Sequence, residues 1–316
     1  MQRSITFLGI PIVKVKKFDS CEKRYFLGVQ YKVKKYARRY DDFADLFAEK
    51  CPELRGKTVK VVMNNLGEVV IYARTARFWY KDGMCVFARK PAQIDIFKMF
   101  SPELPVFYCG EADLHKEAVV HECSLSAILT GEQTSALNNT GLHFYKNWEK
   151  HLNADFSQMR FNRAVISEEA KRSALVKAKL FSIDLDNFVL FVPNAASQDP
   201  LPIEFWQGLT RELNAKGIGV FRNSGLFTVE EIYVLASRAK AIIANRCGLC
   251  DVLCELPVPQ YMIYGHNFYH EDLQPMYTFA GFPWAAHDFI TEYKTHKQTL
   301  ETIKTDILKG IVSGRR

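Results

Sequence analysis

No apolar run in this chain reaches the roughly 18 residues that a membrane-spanning helix requires, so none of its 316 residues is expected to cross a bilayer. The apolar stretch from Ile5 to Val13 is interrupted by Gly9 and Pro11, and no small-residue cleavage site follows it, which argues against a secretory signal. No His-Glu-x-x-His run is present, so the usual zinc-protease arrangement is excluded. Eight cysteines stand at positions 21, 51, 85, 109, 123, 247, 250 and 254. In a chain this large without an export signal they are expected as free thiols in a reducing compartment, and the protein as cytoplasmic. Hydrophobic residues make up 48% and charged residues 24%, which excludes wholesale disorder. The length suits two domains.

Positive charge is concentrated at the start. Residues 1–40 hold eleven Lys or Arg against Asp19 and Glu22, a local +9, so the other 276 residues sum to −2 in a chain of net +7. Within this segment Phe7-Leu8-Gly9-Ile10-Pro11-Ile12-Val13-Lys14-Val15-Lys16-Lys17 is echoed by Phe26-Leu27-Gly28-Val29-Gln30-Tyr31-Lys32-Val33-Lys34-Lys35. Each copy alternates apolar with basic side chains, the period of a strand with one cationic face, and the two are expected to form a hairpin-like appendage.

Beyond Pro52 strands and helices alternate. Strands are expected at 57–63, 84–88, 106–109, 188–192, 218–221, 241–244 and 260–264, and helices at 68–80, 94–100, 168–180, 202–215, 228–239 and 249–255. A last helix is expected over 290–312, with Leu300, Ile303, Ile307 and Ile311 on one face. Such alternation predicts parallel sheets wound by crossover helices.

Two strand-turn-helix junctions carry candidate chemistry. Asn65-Leu66-Gly67-Glu68 ends one strand and opens a helix with an acid in its first turn, placed to act as a general base or simply to offset the helix dipole. Asn245-Arg246-Cys247-Gly248-Leu249-Cys250-Asp251 ends another, where free helix amides and Arg246 would suit a diphosphate. Cys247, Cys250 and Cys254 lack a fourth ligand at a fixed spacing and are expected to pack as small thiols. Asp184-x-Asp186 precedes a strand and is expected in a turn. His266 and His270 follow the strand at 260–264, where a cleft lining competes with ordinary surface roles.

With these residues in hand, the chain resembles the bacterial heptosyltransferase-like family of lipopolysaccharide glycosyltransferases over residues 58–110 and 165–265. Glu68 stands where that family's catalytic-base Asp would. Asn194, Ala195, Ala196 and Ser197, followed by Trp206, resemble its phosphate loop and helix, and Glu230 matches a Glu that contacts the nucleotide ribose. Residues 245–251 fall on its D-[ST]-G-x-x-H donor motif, with Arg246, Cys247 and Asp251 at the Asp, Ser/Thr and His positions. The family's basic residue after the phosphate loop has no counterpart among Gln198-Asp199-Pro200-Leu201. The repeated N-terminal motif also resembles a prefix on glycosyltransferases of surface-polysaccharide clusters.

The resemblance implies an α/β protein of the GT-B kind, with two Rossmann-like domains facing each other across a cleft. The expected divisions are a basic extension (1–50), an acceptor domain (51–170) and a donor domain (171–316), the helix over 290–312 packing back on the acceptor domain. It implies a metal-independent, inverting transferase without a cofactor, moving sugar from a nucleotide sugar to a lipid-linked or phosphorylated glycan of lipopolysaccharide, O-antigen or capsule. Donor contacts are expected from Asn194, Ala195, Ala196, Ser197, Glu230, Arg246, Cys247, Gly248, Leu249 and Asp251. Asn65, Gly67 and His266 are cleft candidates. Residues 1–40 are expected to touch the anionic inner face of the cytoplasmic membrane, making the enzyme peripheral. The competing readings are nucleic-acid binding through that arm, with Tyr25, Phe26 and Tyr31 stacking on bases, and a non-catalytic GT-B-like protein; nucleic acid is not the expected partner.

Overall fold

The structure is a computed structural model. It describes residues 58–61, 66–80, 84–88, 90–108, 149, 155, 160–195, 199–223, 225–265 and 278–314, together with the backbone of four N-terminal strands between 2 and 35. Those strands are β1 (Gln2–Phe7), β2 (Ile10–Lys17), β3 (Cys21–Phe26) and β4 (Val29–Lys35), an antiparallel sheet in sequential order. The expected hairpin-like appendage is thus a four-stranded meander, in which β2 also pairs with β3. Phe7 pairs with Ile10 and Phe26 with Val29, so each copy of the repeat straddles a chain reversal. Register shifts at Ile5/Thr6 and at Arg24/Tyr25 fall at the same place relative to each Phe-Leu-Gly, so the duplication extends to the bulges.

A three-stranded parallel sheet follows, built from β5 (Thr58–Val61), β6 (Met84–Ala88) and β7 (Val106–Tyr108). Helices α1 (Leu66–Arg74), α2 (Ala76–Trp79) and α3 (Pro91–Phe100) connect its strands. The single helix expected over 68–80 is divided at Thr75, whose hydroxyl donates to the Ile71 carbonyl at 2.7 Å. A side chain that bonds back onto its own turn competes with the helical ladder.

The second unit opens with α4 (Glu168–Leu180) and holds a five-stranded, all-parallel sheet: β8 (Phe188–Val192), β9 (Gly219–Arg222), β10 (Ala241–Asn245), β11 (Gln260–Tyr264) and β12 (Ile290–Lys294). The order is β12-β11-β10-β8-β9. Helices α5 (Ile203–Ala215), α6 (Val229–Ala236), α7 (Gly248–Leu253) and α8 (Leu300–Val312) complete it. Buried strand residues alternate between two cores, as the pleat requires. Phe188, Leu190, Ile242, Ala244 and Met262 face the core shared with α1, α3, α6 and α7. Val189, Phe191, Ile243, Tyr261 and Ile263 face α5 and α8.

The expected extent of the last helix is corrected. Residues 290–294 form strand β12, and the final helix begins only at Leu300, where Thr299 caps it by accepting from Thr302 N at 3.2 Å. Among the described residues, Ile303, Ile307 and Leu308 of that helix pack with Leu209, Leu213 and Tyr261 of the second unit. Its apolar face matches the side of the sheet that α5 alone would leave partly uncovered. The boundary expected at 170 lies inside α4, which is continuous there and sets Ala170, Ala174 and Ala178 in its buried face, packed against α6.

The two units share one core, and a buried ion pair joins them. Arg74 of α1 is fully buried, 3.0 Å from Glu255, and lies over the rings of Phe100 and Trp284. Glu255 also accepts from Tyr233 Oη at 2.9 Å and from Ala164 N at 3.1 Å. Across the same seam, Asp95 of α3 accepts from Val229 N at the start of α6, at 3.2 Å.

Candidate active site

In a parallel sheet of this winding, ligands bind beyond the carboxyl ends of the strands where the order reverses. Here that point lies between β8 and β10, which run side by side and whose crossovers leave in opposite directions. The loop after β8 begins with buried Pro193, exposed Asn194 and half-buried Ala195. The loop after β10 carries Arg246, Cys247 and Gly248. Asn245, fully buried at the end of β10, ties the two loops by donating to the Asp199 carbonyl at 3.1 Å. Two separately expected donor segments are thus brought to one sheet edge.

The side chains there are arranged differently from the expectation. Arg246 is buried and spends its guanidinium on Asp251, through Nη2–Oδ1 at 2.5 Å and Nη1–Oδ2 at 3.0 Å, and on the Cys247 carbonyl at 2.7 Å. Its charged carbon lies 4.5 Å from the centre of the Phe279 ring. Burial alone would weaken its hold on the proton, and the Asp251 carboxylate more than offsets that and keeps it charged. Arg246 and Asp251 therefore act as a pair that fixes the α7 turn, and Arg246 is not presented as a diphosphate ligand. Cys247 and Gly248 are half-buried, and Leu249 is buried.

The first turn of α1 sits directly on the first turn of α7. A Cβ on Gly67 would lie 2.5 Å from Asp251 Oδ2, and one on Gly248 would lie 2.5 Å from Gly67 N. Only glycine at both places permits this approach. Glu68, half-buried, follows Gly67 immediately, so the candidate base and the α7 turn stand together, with the two turns in contact at Gly67 and Gly248. Glu230 is half-buried, and its carboxylate accepts from Ser167 N at 2.5 Å, at the start of α4. Asp184 accepts from Asp186 N at 3.1 Å, the turn expected for that pair. Asn65, Ala196, Ser197, His266 and His270 lie outside the described residues. Among the described residues no three His, Cys, Asp or Glu side chains converge as a metal site.

Open space lies one strand over. A cavity of about 540 Å³ is lined by Asn194, Arg222, Asn223 and Gly225, at the carboxyl ends of β8 and β9. Its size falls within the roughly 300–1,000 Å³ usual for small-ligand sites. Arg222 is exposed and forms no ion pair among the described residues. Arg222 was not among the residues expected at the site; its signal was a lone Arg closing the run Gly219-Val220-Phe221, and it supplies a cation near the loop after β8, where Gln198 to Leu201 have none.

The fold is the GT-B architecture of two Rossmann-like units. The chain is similar in fold to ADP-heptose LPS heptosyltransferase II of E. coli, with a TM-score of 0.50, 12% identity, and coverage of 82% of this chain and 100% of that one. It is likewise similar to a family 9 glycosyl transferase from Veillonella parvula, with a TM-score of 0.50, 11% identity, and coverage of 82% and 96%. No protein-family model and no curated protein sequence matches the chain.

Proposed function

We propose that this protein transfers a sugar from a nucleotide-sugar donor to a glycan acceptor of a surface polysaccharide, of the heptosyl or hexosyl type, with inversion and without a metal. The observation that carries the reading is the cavity at the carboxyl ends of β8 and β9, which Arg222 and Asn194 line together. Negative charge grows on a leaving diphosphate as the glycosidic bond breaks, and a cation and amides fixed in advance lower that barrier most effectively. Arg222 takes the part first given to Arg246, with Asn194, Asn223 and the following amides as neutral donors. Ala195, Ala196 and Ser197 follow Asn194 in the sequence.

Glu68 serves as the base. It takes the proton from an acceptor hydroxyl as the oxygen attacks the anomeric carbon opposite the diphosphate, so the bond to carbon forms as the phosphate oxygen leaves. A positioned base commonly contributes about 10²–10⁴-fold. For Glu68 to reach an acceptor, the contact between Gly67 and Gly248 must open, a hinge motion of the two units.

The N-terminal sheet is the membrane contact in this reading. Residues 1–40 carry a local +9, and such a cluster of Lys and Arg is attracted to an anionic surface. Phosphate groups of anionic lipid, or of a lipid-linked acceptor, would meet that charge and hold the enzyme on the inner face of the cytoplasmic membrane. Among the described residues no helix is long and apolar enough to cross a membrane.

The buried Arg246–Asp251 pair and the closed glycine contact favour a second reading, a GT-B-like protein that binds without turnover. Thermal melting against ADP, GDP, UDP and CMP sugars tests the first. One donor should raise the midpoint in wild type and much less in Arg222→Ala, because a ligand held only by the native state stabilises it. No shift with any of the four contradicts donor binding.

A further inference from the structure

Helix α7 opens on a dithiol that the transfer mechanism leaves unused: Cys247-Gly248-Leu249-Cys250. Cys247 occupies the cap position in extended backbone, and Cys250 follows one turn later. Their sulfurs are 3.7 Å apart, in van der Waals contact, and Cys247 N donates to Cys250 Sγ at 3.4 Å. A disulfide needs about 2.05 Å between sulfurs, a distance that small side-chain rotations can close. Cys247 is half-buried, and Cys250 is 1% exposed. Cys254, a turn further on, is fully buried with its thiol directed to the Asp251 carbonyl at 3.3 Å.

We propose that Cys247 and Cys250 form a reversible redox site, exchanging with low-molecular-weight disulfides to give an intrachain bond. The Cys247 thiolate attacks one sulfur of the small disulfide, and a small thiolate leaves, giving a mixed disulfide on Cys247. Cys250 then gives up its proton to the departing thiolate and attacks Cys247 Sγ, releasing the second small thiol. Two electrons pass from the protein to the small disulfide, which leaves as two thiols.

The order of attack follows from the surroundings. The Cys250 thiol beside Cys247 favours its ionised form, burial opposes this, and the backbone N–H groups of Cys250 and Leu249 and the Arg246 charge add to the first effect, so its pKa is lowered. Burial, then Cys247 itself, pushes Cys250 up. The less buried thiol, held as thiolate, attacks, and its buried neighbour resolves; this division of labour is what thiol–disulfide exchange in Cys-x-x-Cys sites requires. Burial pushes Cys254 up to about 12, which leaves it a spectator. The bond would form in the turn where Gly248 meets Gly67, so its formation would be felt at the seam between the two units.

The test is mass mapping of the full-length protein. It is equilibrated in mixtures of glutathione and its disulfide, quenched in acid, and alkylated. In wild type, the peptide holding residues 247–250 should pass from two alkylated thiols to none, with the loss of two hydrogens, and return on adding glutathione. Cys250→Ser should accumulate glutathione on Cys247 well above the wild-type level. Cys247→Ser should leave Cys250 alkylated throughout. The proposal is overturned if both wild-type thiols stay alkylated in the most oxidising mixture. It is also overturned if the adduct sits on Cys250 or Cys254, or if Cys250→Ser carries no more adduct than wild type. The wild-type measurement decides even where a variant folds poorly.

Discussion

Arg74 and Glu255, 181 positions apart in the chain, form a 3.0 Å ion pair in which the arginine side chain is wholly removed from water and the glutamate nearly so. The pair joins the first Rossmann-like unit to the second, and Glu255 adds bonds from Tyr233 and Ala164. Removing one member strands a charge in the core. Glu255→Ala is expected to lose about 3–5 kcal/mol in urea denaturation. Arg74→Met with Glu255→Leu should recover part of that, since neither charge is left alone.

The glycine contact gives a steric prediction. Gly67→Ala and Gly248→Ala each force a methyl into a 2.5 Å approach, against Asp251 and against the α1 backbone respectively. Each should cost about 1–3 kcal/mol by thermal or chemical denaturation. Gly225→Ala meets no atom within 4 Å but forces an alanine to φ +77°. It should be destabilised by backbone strain alone, by about 1–2 kcal/mol.

Much of this architecture was legible in advance. The strands at 84–88, 188–192 and 260–264 and the helix at 168–180 lie where periodicity and capping residues put them. In these segments local pattern and global fold agree: five successive buried residues make β8, and Ser167 and Thr228 cap their helices. The failures occurred where pairing partners decide the structure. Ile290–Lys294 carries apolar spacing that suits a helix, but the open edge of β11 takes it as a strand. The N-terminal repeat was counted as one strand per copy because single-chain periodicity does not show a reversal. At the site, Arg246 and Asp251 are five residues apart, and only the fold turns their charges on each other. Arg222 was invisible for the opposite reason, since nothing in its neighbours marks a lone cation as facing a cavity.

Stability toward acid has a local cause at Glu231. Burial would raise its carboxyl, but Lys177, Ser173 and Thr228 N more than offset this and hold it below its ordinary 4.5. A depressed folded value contributes stability that is complete above the unfolded value and lost as pH falls through the folded one. Glu231→Gln should therefore be less stable by about 1–3 kcal/mol at pH 7. The gap to wild type should narrow below about pH 4.5 in a series of urea titrations.

The basic sheet predicts salt-sensitive membrane attachment. Deletion of residues 1–40 removes a local +9 and should abolish sedimentation with anionic vesicles at low salt. Each Lys or Arg near such a surface contributes about 1 kcal/mol, so wild-type binding should fade as salt is raised. Attachment unchanged by the deletion removes this part of the account.

Arg222 is expected to act on the donor alone. A charged hydrogen bond to phosphate is worth about 1.5–3 kcal/mol, so Arg222→Ala should weaken donor binding roughly 10- to 150-fold by calorimetry while leaving the urea midpoint near wild type. A large loss of stability instead would make it a structural residue.

The most direct measurement is release of free nucleotide from a nucleotide sugar by wild type and by Glu68→Gln, with a lipid-linked glycan acceptor supplied. Wild type should turn over at least one donor, and the variant should bind that donor equally well while losing about 10²–10⁴ in rate. A Glu68→Gln enzyme that turns over near the wild-type rate would contradict the assignment of the base. Wild type that releases no nucleotide from any donor it binds would contradict sugar transfer itself.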